Sequence, residues 1–431
     1  MIAISAKFGH QLMATLLAFF TPALLALLPG RPAPAPSRSP PPRATESNPW
    51  PSKFSTHIVR GISTAVSEAT AEGGLRGGVK AGARIARLVV NELFIFPVQM
   101  VPFAVRTVRY RSPNVESIES PSIEVYSKEG ASDGPLVLYF HGGSWGQGAP
   151  WQYALLARRF LEESGASRVA LARYRLFPEG DVDDMLADVE AALDWCRMQQ
   201  EQAACSNPSA PKLRVVLAAQ SAGAHLCALY LARRGWRGSD EGGSWLPDRF
   251  VALSGVFDIA AHFAHERTRL VHWLSPMWLA MIGRGVASNA QASKPLLDAE
   301  ESQLVPIDDL KASAAAAGGE AEWSEDELIA WAAASPTRLL RLRKMSKKAP
   351  KGAEWPPTVV LHAADDGTVP VRSAREFVEA LESTGLSPDV RYVEYERAGH
   401  GEIMVSLMSP KERDEEGVRE IGREFVRSIG E

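Results

Sequence analysis

Residues 215–234 read VVLAAQSAGAHLCALYLARR, and this stretch gives the clearest indication of the fold. Its apolar start predicts a short buried strand over residues 215–218, and residues 222–234 predict a helix. The turn between them, residues 219–223, has room only for small side chains two positions before and two positions after its serine. A serine in a sharp strand-to-helix turn is typical of the G-x-S-x-G nucleophile elbow, here with Ala219 in place of the first glycine. Ser221 is therefore the candidate nucleophile, although a serine in such a turn is also often only a helix N-cap.

Strand-like and helix-like runs alternate on both sides of this stretch, from about residue 107 onward. Such alternation is typical of an α/β fold, in which helices cover both faces of a mostly parallel sheet. The expected strands are residues 136–140, 168–172, 215–218, 250–253, 358–362 and 390–395, and the expected helices are residues 151–164, 182–199, 222–234, 373–382 and 415–428.

The alternation lapses between about residues 256 and 335. This part contains Trp273 and Trp278, and it includes a low-complexity Ala/Gly/Glu tract at residues 312–322. An excursion between late strands of such a sheet usually forms a cap above the functional site. We therefore expect one catalytic domain, residues 107–431, with a cap and an insertion at about residues 256–335.

A second motif, HGGSW at residues 141–145, directly follows an expected strand and precedes the serine turn in the chain. Glycines at this place let backbone N–H groups point at a substrate oxygen, and each such donor lowers the barrier of acyl transfer by roughly 3 to 4 kcal/mol. We expect this oxyanion hole to be formed by Gly142, Gly143, Ser144 and Ala222. Next to these donors, Trp145 and Gln220 are expected to contact the substrate.

The candidate acid and base follow two late strands. The segment LHAADDGTVP at residues 361–370 contains Asp366, the preferred acid, and Asp365, which the pattern alone does not exclude. His400 stands between glycines after the last expected strand, where it is free to reach the serine and exchange a proton with it. The chain order Ser, Asp, His is the one that the α/β-hydrolase fold requires. His225 would lie one helical turn below Ser221, so we expect it to pack rather than to act as the base.

The N-terminal part of the chain carries two apolar runs. The first, residues 12–29, is near the lower limit of the roughly 17 to 25 residues that span a bilayer. A Pro-rich linker at residues 31–53 separates it from the rest, so residues 1–30 are expected to be a signal peptide or signal anchor. The second run, residues 88–105, contains polar residues and prolines, which favour an interfacial helix or an active-site flap over a spanning helix. We therefore expect residues 54–106 to form a membrane-associated amphipathic segment.

Composition and charge exclude several other classes of function. Lys and Arg number 47 against 51 Asp and Glu, a net charge of -4, so no basic surface for nucleic acid is indicated. Cys196, Cys205 and Cys227 form no metal-binding pattern, and at most Cys196 and Cys205 could pair. His262, His265 and His272 have no carboxylate at ligand spacing, which favours packing in the cap over a metal site. We expect no metal, no cofactor and no nucleic-acid partner.

With these motifs identified, the sequence resembles the isoprenylcysteine methylesterase family, a membrane-associated branch of the α/β hydrolases related to carboxylesterases and kynurenine formamidases. The resemblance extends over most of residues 85–430. It rests on HGGSW at 141–145, YRLFPEG at 174–180 followed by Asp184, Met185 and Asp188, QSAGAH at 220–225, the Ser254-Gly255 turn before His262 and Phe263, and Asp366 before Val369 and Pro370.

The resemblance implies hydrolysis of the methyl ester on a prenylated C-terminal cysteine, at endoplasmic reticulum or Golgi membranes reached through the N-terminal apolar segment. The chain departs from the family at Ala219, at Ala363 and Ala364, where Gly-Thr is typical, and in the insertion near residues 285–335. The alternatives are a general carboxylesterase and a kynurenine formamidase-like hydrolase, because the HGGxW motif is common to both. A non-catalytic, membrane-tethered binding protein of the same fold is disfavoured by the presence of all three triad candidates.

Overall fold

The computed structural model describes residues 103–109, 122–128, 134–234, 245–268, 276–281, 302, 305–308, 310–311, 324–346, 354–408 and 416–431. The expected signal segment at 1–30, the linker at 31–53, residues 54–102 of the expected membrane-associated segment and the low-complexity tract at 312–322 lie outside these residues. His272 and Trp273 also lie outside them. Within the described residues, no helix is both long enough and apolar enough to cross a membrane.

An eight-stranded sheet is the centre of the part of the chain that the structure describes. Its strands are β1 (Phe103–Arg109), β2 (Ser122–Lys128), β3 (Leu136–Phe140), β4 (Arg168–Ala172), β5 (Val215–Gln220), β6 (Arg249–Leu253), β7 (Thr358–Ala363) and β8 (Val390–Tyr395), in the spatial order β1-β2-β4-β3-β5-β6-β7-β8. Strands β3 to β8 are parallel, whereas β2 is antiparallel to β1 and β4. This arrangement confirms the α/β fold expected from the sequence.

Helices flank both faces of the sheet, and this explains the apolar character of its central strands. In β3, Leu136, Leu138 and Phe140 belong to one hydrophobic core, while Val137 and Tyr139 belong to the core on the other face. A strand that is buried on both faces reads as a continuous apolar run rather than as an alternating one. For this reason the sequence predicts the bounds of β3 correctly.

Two strands at one edge of the sheet are not evident from the sequence. Strand β1 begins at Phe103, inside the run 88–105 for which an interfacial helix or a flap is expected, and it pairs with β2 along its whole length. Strand β2 pairs in turn with β4 from Ile123 to Ser127. Because residues 103–105 form backbone hydrogen bonds within the sheet, the expectation of a helix or flap is wrong for these residues.

The described helices are α1 (Ala154–Glu163), α2 (Val182–Ser206), α3 (Ala222–Arg234), α4 (Ile259–Thr268), α5 (Met277–Met281), α6 (Glu325–Ala333), α7 (Pro336–Ser346), α8 (Arg372–Thr384), α9 (His400–Met408) and α10 (Glu416–Gly430). Helix α2 continues beyond residue 199, where the sequence predicts its end. The buried side chains of α2 stop at Gln200. Its last turns are therefore solvated and show no apolar periodicity that would reveal them.

Helices α4, α5 and α6 occupy described parts of residues 256–335, where the strand and helix alternation lapses. The rings of Phe263 in α4 and Trp331 in α6 have centroids 4.9 Å apart. Met277 and Met281 of α5 are completely buried in the same hydrophobic core. These three helices therefore pack against one another and extend the hydrophobic core that lies on one face of the sheet.

A buried ion network stabilises the segment between β4 and α2. The guanidinium of Arg175 donates to both carboxylate oxygens of Asp188, at 2.8 and 2.9 Å, and to Oδ1 of Asp184 at 2.7 Å. Burial raises the pKa of Asp188, although the hydrogen bonds and charge of Arg175 oppose that shift. In the same segment the backbone N–H of Phe177 donates to the carbonyl of Trp145 at 2.8 Å. The network thus supports the loop at residues 141–145.

Candidate active site

The serine turn has the backbone geometry of a nucleophile elbow. Ser221 has a φ of +54°, in the left-handed region that non-glycine residues rarely adopt. Its N–H donates to the carbonyl of Leu253 at 3.0 Å, and its own carbonyl accepts from the N–H of His225 at 3.0 Å. These bonds fix the backbone of the serine at the point where β5 ends and α3 begins.

Small residues on both sides of Ser221 are required by close packing. A Cβ on Gly223 would lie 2.4 Å from the carbonyl oxygen of Phe140, so the first turn of α3 packs directly on the end of β3. Ala219 lies fully buried in β5, level with Phe140 in β3 and Ala252 in β6. The methyl group of alanine fits at that position, which explains why the elbow tolerates it in place of glycine.

Ser221, His400 and Asp366 form a continuous chain of hydrogen bonds. Nε2 of His400 lies 2.9 Å from Oγ of Ser221, and Nδ1 of His400 lies 2.7 Å from Oδ2 of Asp366. All three residues are buried, Ser221 and His400 retaining 8% exposure each. The structure thus brings together the three residues that the sequence identifies as nucleophile, base and acid.

The structure also distinguishes Asp366 from its neighbour Asp365 as the carboxylate that contacts His400. Oδ1 of Asp366 accepts from the backbone N–H of Thr368 at 3.0 Å and of Val369 at 2.9 Å, which leaves Oδ2 for His400. Asp365 is exposed. The turn after β7 therefore directs only the second of the two carboxylates toward the imidazole.

The protonation of the site follows from these contacts. Burial raises the pKa of Asp366, but the charge and hydrogen bond of His400, with the N–H of Val369, outweigh burial and hold that pKa below its usual value. An ionised Asp366 accepts a hydrogen bond from the Nδ1–H of His400, which keeps the proton on Nδ1 and leaves the other nitrogen, Nε2, as the acceptor. That tautomer can take the hydroxyl proton of Ser221.

His362 is a neighbour of the acid that the sequence does not single out, although it lies in the motif at residues 361–370. Its Nε2 donates to the carbonyl of Val369 at 2.8 Å and lies 3.5 Å from Oδ2 of Asp366. Burial lowers the pKa of His362, and the nearby Asp366 opposes this shift only partly. A neutral His362 beneath the turn stabilises the loop that carries Asp366 without adding a charge.

The loop at residues 141–145 lies directly against the serine. A Cβ on Gly142 would come within 2.9 Å of Cβ of Ser221 and within 2.2 Å of Oε1 of Gln220, so only glycine fits there. Gly143 has a φ of +128°, and its carbonyl accepts from the N–H of Gln147 at 3.0 Å, which closes the loop. Ser144 continues the loop with a φ of +49°. Together with Ala222 at the start of α3, these are the residues that the sequence identifies as oxyanion donors.

The side chain of His141 holds this loop in place through ring stacking and a hydrogen bond. Its ring stacks between Tyr153 and Tyr174, with centroids 5.3 and 4.7 Å away, and its Nδ1 donates to the carbonyl of Gly142 at 2.7 Å. Burial lowers the pKa of His141 to about 4, so the ring is neutral at physiological pH. The first residue of the motif thus supports the glycines structurally.

Trp145 does not have the exposure expected of a substrate contact. Only 1% of it is exposed, and its Nε1 donates to Nδ1 of His225 at 3.1 Å. His225 in turn donates from Nε2 to the carbonyl of Ala334 at 2.7 Å, and burial lowers its pKa to about 3. The indole therefore packs beneath the loop, and His225 is a neutral packing residue as the sequence indicates.

Gln220 is also buried, with 5% exposure. Its Nε2 lies 3.3 Å from Nε2 of His400, so its amide contacts the candidate base. The sequence leads us to expect a substrate contact at this position. Periodicity cannot supply the direction of the side chain at the end of a strand that is buried on both faces.

Other titratable groups near the cap serve packing in the described residues. Nε2 of His265 donates to the carbonyl of Gly367 at 2.7 Å, and Nε2 of His262 lies 3.4 Å from Glu266. Across the described part of the chain, no three His, Cys, Asp or Glu side chains are grouped to hold a metal ion. Cys196 and Cys205 are both free thiols, so the pairing left open by the sequence is not formed.

Comparison with known proteins identifies relatives of this chain. The family model described as alpha/beta hydrolase fold matches residues 137–404. An acetyl-hydrolase from Streptomyces hygroscopicus is 34% identical over 137 residues, which cover 32% of this chain and 41% of that protein. A probable isoprenylcysteine alpha-carbonyl methylesterase from Arabidopsis thaliana is 24% identical over 277 residues, which cover 63% of this chain and 46% of that protein. The chain spans less than half the length of either relative.

A solved structure described as a bacterial heroin esterase superposes with a TM-score of 0.51 at 16% sequence identity, covering 87% of this chain and 96% of that one. At that identity the similarity concerns the fold. The match to the family model covers more than half of the chain and contains the strands that carry Ser221 and Asp366. The chain therefore belongs to the α/β-hydrolase-fold family.

Proposed function

We propose that this protein is a serine esterase that hydrolyses a carboxylic ester with Ser221 as nucleophile, His400 as general base and Asp366 as the acid that orients the base. The observation that carries the proposal is the hydrogen-bond chain from Asp366 through His400 to Ser221, at 2.7 and 2.9 Å. The names of the relatives, an acetyl-hydrolase and a probable methylesterase, support the same reaction class.

In the proposed reaction, Oγ of Ser221 attacks the ester carbonyl while Nε2 of His400 takes its proton. Backbone N–H groups of Gly143 and Ala222, with Gly142 or Ser144, donate to the oxyanion that forms on the carbonyl oxygen. His400 then protonates the departing alcohol, which leaves an acyl group on Ser221. A water molecule, deprotonated by the same imidazole, releases the acid and restores the serine.

Ser221→Ala should lower the kcat for a p-nitrophenyl ester by at least about 10⁴-fold, because the attacking oxygen is lost. The same variant should no longer react with a fluorophosphonate probe. The matched control is Ser206→Ala, at the exposed end of α2, where the hydroxyl donates to the carbonyl of Gln202. Turnover by folded Ser221→Ala protein at the wild-type rate would refute the proposal.

Asp366→Asn should reduce kcat by about 10⁴-fold, because an amide at this place favours the wrong tautomer of His400. Asp365→Asn is the internal control, since that carboxylate is exposed and lies in the same turn. We expect it to change kcat less than about threefold. Steady-state kinetics of the two variants decide the assignment, and equal losses would contradict it.

The finer proposal concerns the substrate, which we propose to be the methyl ester of a prenylated cysteine. Its support is the resemblance at residues 141–145, 174–180 and 220–225 and the name of the Arabidopsis relative. Phe263 and Met281, which would suit an apolar entrance, are buried at 3% and 0% exposure, so they support packing of the cap instead. A general carboxylesterase is the second candidate, favoured by the acetyl-hydrolase relative. The kynurenine formamidase-like alternative rests on the HGGSW motif and on the name of a Danio rerio relative, a kynurenine formamidase that is 31% identical over 142 residues.

Farnesylcysteine methyl ester should be hydrolysed with a kcat/KM at least about 100-fold above that of unprenylated cysteine methyl ester, because each buried CH₂ contributes about 0.8 kcal/mol. The test is a panel of both methyl esters, p-nitrophenyl acetate and N-formylkynurenine on purified protein. N-formylkynurenine should be a poor substrate. Equal kcat/KM values for the two methyl esters would favour the general carboxylesterase.

We further propose that the protein associates with endoplasmic reticulum or Golgi membranes through residues 1–30. The support is the apolar run at 12–29, which contains no charged residue. In fractionated cells the full chain should sediment with membranes, and a variant lacking residues 1–43 should move at least in part to the soluble fraction. Complete solubility of the full chain would refute membrane association, and full retention of the truncated variant would assign it to residues 88–105.

A further inference from the structure

The side chain of Gln220 lies between the two halves of the candidate site. Gln220 is the last residue of β5 and directly precedes Ser221. Its Oε1 occupies the space in which a Cβ on Gly142 would stand, 2.2 Å from that position. Its Nε2 lies 3.3 Å from Nε2 of His400. The amide is thus packed between the glycine loop and the imidazole, and it contacts the nitrogen that takes the serine proton.

Two hydrogen-bond donors therefore converge on one acceptor. Because Nδ1 of His400 keeps its proton and donates it in a hydrogen bond to Asp366, Nε2 has a single lone pair. The hydroxyl of Ser221 at 2.9 Å and the amide of Gln220 at 3.3 Å both lie within hydrogen-bond distance of Nε2. An N–H that donates to Nε2 stabilises the neutral imidazole. Once Nε2 is protonated, two N–H groups face each other and that stabilisation is lost.

We propose that Gln220 is a positioning residue that holds His400 in its neutral, Nδ1-protonated form and so extends the activity of the enzyme to lower pH. The inference rests on the proposed roles of Ser221, His400 and Asp366. It replaces the substrate contact expected for Gln220 from the sequence. Gln220 would act through the base, by competing with an added proton for the lone pair on Nε2.

Other charged and titratable groups lie around His400 in the part of the chain that the structure describes. Asp366 faces Nδ1 from the loop after β7, and His362 of β7 contacts the same carboxylate at 3.5 Å. On α9 itself, Glu402 accepts from the backbone N–H of Gly399 at 3.4 Å. Arg159 of α1 reaches α9 at the carbonyl of Ser406, and α10 meets α9 through apolar side chains. A substitution at Gln220 changes none of these groups, so a shift in the titration of His400 reports on the amide.

The test is the pH dependence of kcat and kcat/KM on a p-nitrophenyl ester for Gln220→Met and Gln220→Glu. Methionine keeps the length of the side chain but removes the hydrogen-bond donor. The acid limb of the profile, which is the fall of kcat/KM as the pH is lowered, should therefore shift to a pH higher by about half to one unit. Glutamate supplies a carboxylate that stabilises the imidazolium, so the limb should move up by more than about one unit. The rate of fluorophosphonate labelling of Ser221 should follow the same shifts, without any dependence on substrate binding.

Gln200→Met is the matched control. Gln200 is a buried glutamine of α2 whose Nε2 donates to the carbonyl of Leu213 at 2.6 Å and whose Oε1 accepts from Trp245 at 2.8 Å. This variant loses two side-chain hydrogen bonds away from the triad, so its thermal midpoint should fall while its acid limb stays at the wild-type pH. If Gln220→Met does not fold, Gln220→Glu, which has the same length and is polar, gives an independent reading.

An acid limb that stays in place or moves to lower pH in the Gln220 variants would overturn the inference. A rise in KM alone, with an unchanged limb, would also overturn it and would return Gln220 to the role of substrate contact. The Ser221→Ala variant distinguishes a failure of the proposed function from a failure of the proposed role of Gln220. Retained hydrolysis in that variant refutes the proposed function, whereas its loss together with unmoved limbs at Gln220 refutes only this inference.

Discussion

The backbone of Ser221, with a φ of +54°, is the constraint on which the site depends. A non-glycine residue in this region costs on the order of 1–3 kcal/mol and persists only when its surroundings hold it there. Here the surroundings are β5 in the middle of the sheet, the bond from the N–H of Ser221 to Leu253, and the contact of Gly223 with the end of β3. The strain projects the hydroxyl out of the strand end toward His400 and Gly142.

The other parts of the site come to this point because the sheet is parallel. The carboxyl ends of the parallel strands β3, β5, β7 and β8 all lie at the same end of the sheet, so the loops that follow these strands meet there. These loops carry Gly142, Ser221, Asp366 and His400, which are far apart in the chain. The Arg175 network also stabilises this end of the sheet. It holds the segment in which the N–H of Phe177 donates to the carbonyl of Trp145. Truncating Arg175 would leave Asp188 buried without its partner, which is strongly destabilising.

The electrostatics of the site keep one carboxylate ionised among neutral rings. Asp366 has a lowered pKa, because His400 and backbone N–H groups outweigh its burial. Burial lowers the pKa values of His362, His225 and His141, so these rings support the loops around the triad without adding charge. In the proposed reaction, the proton of Ser221 passes to His400. Besides the hydroxyl of Ser221, the amide of Gln220 also contacts Nε2 of His400, at 3.3 Å, which is the contact on which the proposed positioning role rests.

The sequence alone identifies the central strands, the candidate nucleophile and the candidate base. Strands that are buried on both faces appear in the sequence as apolar runs. The small residues around Ser221 and the glycines around His400 mark positions where the backbone conformation restricts the side chain.

The directions of adjacent side chains, however, are set by contacts with other segments of the chain. Asp366 is chosen over Asp365 by the N–H groups of the turn after β7, and Gln220 faces His400 because Gly142 leaves room for its amide. Trp145 turns inward because His225 offers an acceptor from α3. Strands β1 and β2 likewise depend on pairing with β4, a contact that no local pattern encodes. Tertiary structure decided these features, because each depends on a partner that is distant in the chain.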